Sequence, residues 1–135
     1  MRLRRALSEF LALQRVAHVA TANAKGVPHV VPVCPVVEAG RLYFASGKTG
    51  RKMQDLRANA QVAMAADDYT EAWGRLRGVV VSGTARVHAR NTTFRRIRRR
   101  LYAKYPQYRT EATLGDHDSV VVEITPRRVH AWGFD

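Results

Sequence analysis

The densest chemistry in the sequence lies between Ser46 and Lys52, where Gly47, Lys48, Gly50, Arg51 and Lys52 crowd into one short stretch. Glycines let a backbone approach a ligand closely. A helix starting at Arg51 would aim free N–H groups and a partial positive charge at an anion. Lys48, Arg51 and Lys52 add formal charge and directional donors. Phosphate is the group this pattern suits, although a solvated turn before a basic helix end would use the same residues. It is not a nucleotide P-loop, because Leu42 stands where that motif needs its first glycine. Elsewhere the side chains offer little. His18, His29, His88, His117 and His130 show no metal-ligand spacing, so no metal is expected. Cys34 sits in an apolar run and reads as a small core residue. No glycine-flanked serine elbow is present, and the few acids lie mainly in loops. An enzyme built this way would take its chemistry from a cofactor.

The elements that must position the basic turn can be read in order. Met1 to Gln14 has the period of an amphipathic helix, with Leu3, Leu7, Phe10, Leu11 and Gln14 on its stripe. Val16 to Ala22 reads as a strand, and Pro28 to Val37 as a second one. The latter carries Pro28, Pro32 and Pro35, which cannot donate to a ladder. That leaves two readings for the second strand: a bent edge, or a strand lying beside something other than a strand, such as a flat ligand. Leu42 to Ala45 leads into the basic turn, and the helix after it ends near Asn59. Gln61 to Ala66 is a short strand, followed by a polar loop from Asp67 to Gly74. Gly78 to Arg90 alternates with period two, placing Val79, Val81, Ala85, Val87 and Ala89 on one face and His88 on the other. A helix capped by Asn91 or Thr92 carries Phe94, Ile97, Leu101 and Tyr105 on its stripe, with Arg95, Arg96, Arg98, Arg99 and Arg100 around it. Glu111 to Asp118 reads as an acidic loop. Ser119 to Ile124 is a final strand, interrupted at Thr125-Pro126 before Arg128 to Trp132. Six strands in hairpins with outer helices predict a small antiparallel barrel.

Composition narrows the class. The chain has 135 residues, 46% of them apolar, which suits one globular domain over 1–135 and argues against disorder. Its apolar runs are too short for a membrane span and no signal peptide is visible, so a cytoplasmic protein is expected. A net charge of +12 draws anions: phosphates, acidic cofactor tails or nucleic acid.

The motifs, taken in order, are Val19-Ala-Thr-Ala22 with Gly26-Val-Pro-His-Val-Val-Pro-Val33; Leu42-Tyr-Phe-Ala-Ser46 with Gly50-Arg-Lys52; Asp67-Asp-Tyr69 with Trp73-Gly-Arg-Leu-Arg77 and Val81-Ser-Gly-Thr-Ala85; and Ile124-Thr-Pro-Arg-Arg-Val-His-Ala-Trp132. In that order and spacing the chain resembles the flavin-binding split β-barrel family, the pyridoxamine 5'-phosphate oxidase-like proteins. Within it, the likeness is to the small deazaflavin (F420)-dependent type. The resemblance implies a mainly β, six-stranded antiparallel split barrel with peripheral helices, acting as a homodimer with its cofactor sites in the interface. It implies FMN or F420 as cofactor, and hydride transfer to or from a small-molecule substrate. The ring would pack on Val31, Pro32 and Val33, and the ribityl chain on Ala45 and Ser46. The phosphate would lie on Arg51 and Lys52 with Lys48 nearby. Trp73, Arg77 and Trp132 would approach the site, some of them from the partner subunit. Two positions depart from the family pattern: Ala45, often a hydroxyl residue, and Gly78, often large and aromatic in the F420 group. The +12 charge and the arginine-rich helix would suit the anionic tail of F420. Two other readings stand beside this one: a cofactor-binding protein without turnover, and a nucleic-acid-binding barrel using Tyr43, Phe44, Tyr102 and Tyr105.

Overall fold

The computed structural model describes residues 2–134. Met1, included in the expected first helix, and Asp135 lie outside the described residues. Helix α1 spans Arg5–Leu13, shorter than its periodic pattern, and buries Leu7, Phe10 and Leu11. The strands are β1 (Ala17–Ala22), β2 (Pro28–Val33), β3 (Val36–Glu38), β4 (Arg41–Gly47), β5 (Gln61–Asp68), β6 (Arg77–His88) and β7 (Ser119–Trp132). Helix α2 (Arg51–Ala58) follows β4, and α3 (Thr92–Lys104) follows β6. A short helix, α4 (Tyr108–Glu111), was not expected from the sequence. Among the described residues no helix is long and apolar enough to cross a membrane.

The strands form one antiparallel sheet in the order β2-β1-β5-β6-β7-β4-β3. There are seven strands rather than six because the run from Pro28 to Val37 breaks at Cys34-Pro35. Its first half pairs with β1 at one end of the sheet order, its second half with β4 at the other. Pro35 has no N–H, and the residue before a proline is pushed out of regular pairing geometry, so the chain crosses from one sheet edge to the other at that point. The crossing curls the sheet. Val19 and Val33 from one end share a core with Leu42 and Phe44 from the other, closed by Met53 of α2 and Leu3 and Leu7. Burying each of these large side chains is worth roughly 1.5–3 kcal/mol, so the barrel interior outweighs any single polar contact.

A second apolar layer lies on the outer face, where Phe94, Ile97 and Leu101 of α3 cover Tyr43 and Val121. The two faces of β6 alternate as expected, but the burial at its end is reversed. Val87 is exposed and His88 buried, because α3 roofs the face on which His88 stands. The expected interruption at Thr125-Pro126 is also milder than a break. β7 continues through it, with a bulge opposite Ser82 and Gly83.

Candidate functional site

The turn between β4 and α2 is held at both ends. The Lys48 N–H donates to the Asp118 carbonyl (3.0 Å), and Arg57 donates to the Lys48 carbonyl (2.6 Å). Gly50 adopts φ 110°, a conformation open to glycine and strained for other residues, and from there the chain enters α2. Among the described residues no side chain caps this helix and no acid lies in its first turn, so its leading N–H groups have no side-chain acceptor. Lys52 turns back toward β4, where its Nζ donates to Ser46 Oγ at 3.0 Å. Ser46 is buried, and its hydroxyl donates in turn to the Gly47 carbonyl. Burial pushes the Lys52 ammonium below its ordinary pKa. Among the described residues neither Lys52, Arg51 nor Lys48 forms an ion pair. A half-buried cation held by one hydroxyl, beside an exposed arginine and an uncapped helix start, is a place for an anion.

Helix α2 is fixed to the barrel by a buried pair. Thr21 Oγ1 on β1 donates to Asp55 Oδ2 at 2.8 Å. Thr21 pairs across the ladder with His29 of β2, so the basic helix is anchored one strand away from the proline-bearing edge. There Val31 packs against the interior, Val33 is buried, and Pro32 is exposed along an edge with no second neighbour. Ala45 differs from its expected neighbours. It packs on the cluster under α3, the face opposite Ser46.

Trp73, Arg77 and Trp132 form a separate group. Trp73 is 80% exposed, in a 3-10 turn over Trp73–Arg75. Arg77 opens β6, its guanidinium 4.8 Å from the Phe10 ring centroid. The Trp132 indole lies across Gly78, where a Cβ would come within 2.2 Å of the ring, and its Nε1–H donates to the Tyr69 hydroxyl at 3.2 Å. The small residue at position 78 is therefore matched by a large one reaching over it from β7. This group and the basic turn lie at opposite ends of the 14-residue β7, since Ser119 pairs with Gly47 and Trp132 with Gly78. Among the described residues, none of the five best-formed clefts is lined by any of the eleven residues named for the cofactor.

The arginines of α3 are differently placed. Arg96 and Arg100 bind the two oxygens of Glu38 at 2.8 and 2.5 Å, and Arg98 binds Asp116 at 2.6 Å. Beneath this helix lies a buried polar chain that no sequence motif announced. Glu123 accepts from Arg41 and from His88 Nε2, and His88 Nδ1 faces the amide of Asn91, whose oxygen caps α3 at Phe94 N–H. Burial pushes the Glu123 carboxyl up, but the hydrogen bonds from Arg41 and His88 outweigh it and hold its pKa below the ordinary value. The only signal in sequence was His88 on the face of its strand opposite the valines; nothing in the sequence pointed to Glu123 as its partner.

A scan against protein families matches residues 3–133 to the pyridoxamine 5'-phosphate oxidase family. The chain belongs to that family. Comparison with curated proteins finds no match. Solved structures share the fold at low identity. One is an FAD-binding protein from Mesorhizobium loti (23% identity, TM-score 0.76, covering 96% of this chain and 94% of that one). Another is an F420 reductase (21%, 0.75, 95% and 98%). A third is HutZ, the heme storage protein from Vibrio cholerae (15%, 0.78, 96% and 94%). The split-barrel fold is thus shared by proteins with different named ligands.

Proposed function

We propose that this chain binds a phosphate-bearing flavin-type cofactor, F420 or FMN, and acts as an oxidoreductase on a small substrate. The observation that carries the reading is Lys52: an ammonium half-withdrawn from water, oriented by Ser46, and lacking a carboxylate among the described residues. The residues fit the group. Lys52 and Arg51 would hold the phosphate, with the free N–H groups of α2 beside them. The uncovered edge of β2 would offer Val31 and Pro32 as an apolar wall. A bound cofactor of this kind supplies hydride transfer, and the protein supplies binding and orientation.

The separation of the two residue groups supports a homodimer. Lys52 lies on α2, beside the Ser119 end of β7, and Trp132 closes the other end, so a second copy would complete a site that uses both. Val30, Leu13 and Trp73 are exposed apolar side chains that a second copy would cover. The nucleic-acid reading loses support, because Tyr43, Phe44 and Tyr105 are buried and cannot stack on bases. Binding without turnover keeps one observation in its favour: the side chains gathered at the start of α2 are cations and a hydroxyl, with no histidine or carboxylate in the first turn.

The test is a spectroscopic titration of the full chain with F420, FMN and hemin, followed by a turnover assay with the reduced form of whichever binds. Binding of F420 or FMN with consumption of the reduced form is the expected result. Binding without consumption favours a storage or sensing role. Binding of hemin alone, or of none of the three, overturns the proposal.

A further inference from the structure

The ladder between β6 and β7 shifts register next to Pro126. Ser82 pairs with Arg128 and Gly83 with Pro126, which leaves Arg127 as the extra residue of a bulge. In a regular strand Arg127 and Arg128 would point to opposite faces of the sheet. The bulge instead lets both line one cleft of about 460 Å³, together with Gln61, Ser82 and Thr84. Gly83 completes the wall, and no larger residue fits there, since a Cβ would stand 2.1 Å from the Thr125 carbonyl oxygen.

The chemistry of this cleft has one sign. Among the described residues no carboxylate lines it. Among the described residues, neither arginine forms an ion pair, whereas Arg41, Arg96, Arg98 and Arg100 all do. Two planar guanidinium forks, two hydroxyls and an amide are the donors that a carboxylate or a phosphate takes. We infer that this cleft is a second anion-binding site, distinct from the start of α2, taking an oxyanion of the carboxylate or phosphate class. It lies on β5, β6 and β7 and shares no residue with the basic turn, so it stands whether or not a cofactor occupies α2.

The experiment is a nuclear magnetic resonance titration of the full chain with inorganic phosphate and, separately, with citrate. The backbone amide signals of Gln61, Ser82, Thr84 and Arg128 should move together with one affinity for at least one of the two anions, and the tighter anion names the class. The variant R127Q/R128Q should weaken that response at least tenfold, on the scale of charge-assisted hydrogen bonds, while the variant R51A/K52A keeps it. Failure of these signals to move with either anion in the wild type overturns the inference. So does a response that R51A/K52A abolishes and R127Q/R128Q leaves unchanged. If F420 and FMN fail to bind while these amides still respond, the cofactor reading falls and this one stands.

Discussion

Helices α2 and α3 both carry clustered cations, yet the surroundings of those cations differ. On α3, Arg96 and Arg100 share Glu38, Arg98 holds Asp116, and Asn91 caps the first turn. On α2 the cap is a glycine with no side chain, and among the described residues Arg51 and Lys52 form no ion pair. The richer charge count belongs to α3, but its charge is largely spent within the fold. The poorer one, at α2, is left open toward solvent. A basic stretch becomes a candidate site through the absence of internal partners, not through the number of arginines.

The comparison breaks most readily at α2. Replacing both Arg51 and Lys52 by alanine should weaken cofactor affinity by roughly 2–5 kcal/mol, on the scale of charge-assisted bonds, with little change in melting temperature. Calorimetric titration checks this, and unchanged affinity would put the phosphate elsewhere. Thr21→Val removes the donor to buried Asp55 and should cost about 1–3 kcal/mol in a denaturant melt. Cofactor affinity should fall with it, because the same bond seats α2 on the barrel. Gly78→Ala must displace the Trp132 indole, at a cost of about 1–3 kcal/mol typical of overpacking. Tryptophan emission should shift in that variant while phosphate binding stays as in the wild type.

On the α3 side the expected effects concern stability alone. The folded-state pKa of Glu123 lies below the 4.5 of the free side chain. Its contribution is therefore complete above about pH 4.5 and is lost as pH falls through the lower folded value. Melting curves of wild type and Glu123→Gln across the acid range should converge as pH drops; a constant gap would contradict the assignment. The smallest effect belongs to Arg96→Ala and Arg100→Ala, partly exposed pairs worth about 0.2–1 kcal/mol each, with no change in cofactor affinity.

Much of the fold was legible because periodicity and turn chemistry are local. The apolar residues of the α1 and α3 stripes are buried where their spacing named them, although Leu3 and a half-buried Gln14 fall outside α1, and the glycine turn opens α2 where the sequence put it. What escaped depends on pairing across the chain. No local signal says that Pro28–Val33 and Val36–Glu38 end at opposite edges of one sheet, since that follows from barrel closure. The burial of His88 likewise depends on α3 packing over it from later in the chain. For the candidate site, the cations of α2 could be read from their neighbours in sequence. The distance between Lys52 and Trp132 could not, because it is a property of the register of β7.

The most direct measurement is the phosphorus resonance of the bound cofactor in wild type, Lys52→Ala and Arg100→Ala. A phosphate gripped at α2 should give a resonance shifted from that of free cofactor in wild type and in Arg100→Ala, and moved back toward the free value in Lys52→Ala. A resonance that ignores Lys52, or one that responds to Arg100 instead, would contradict the account.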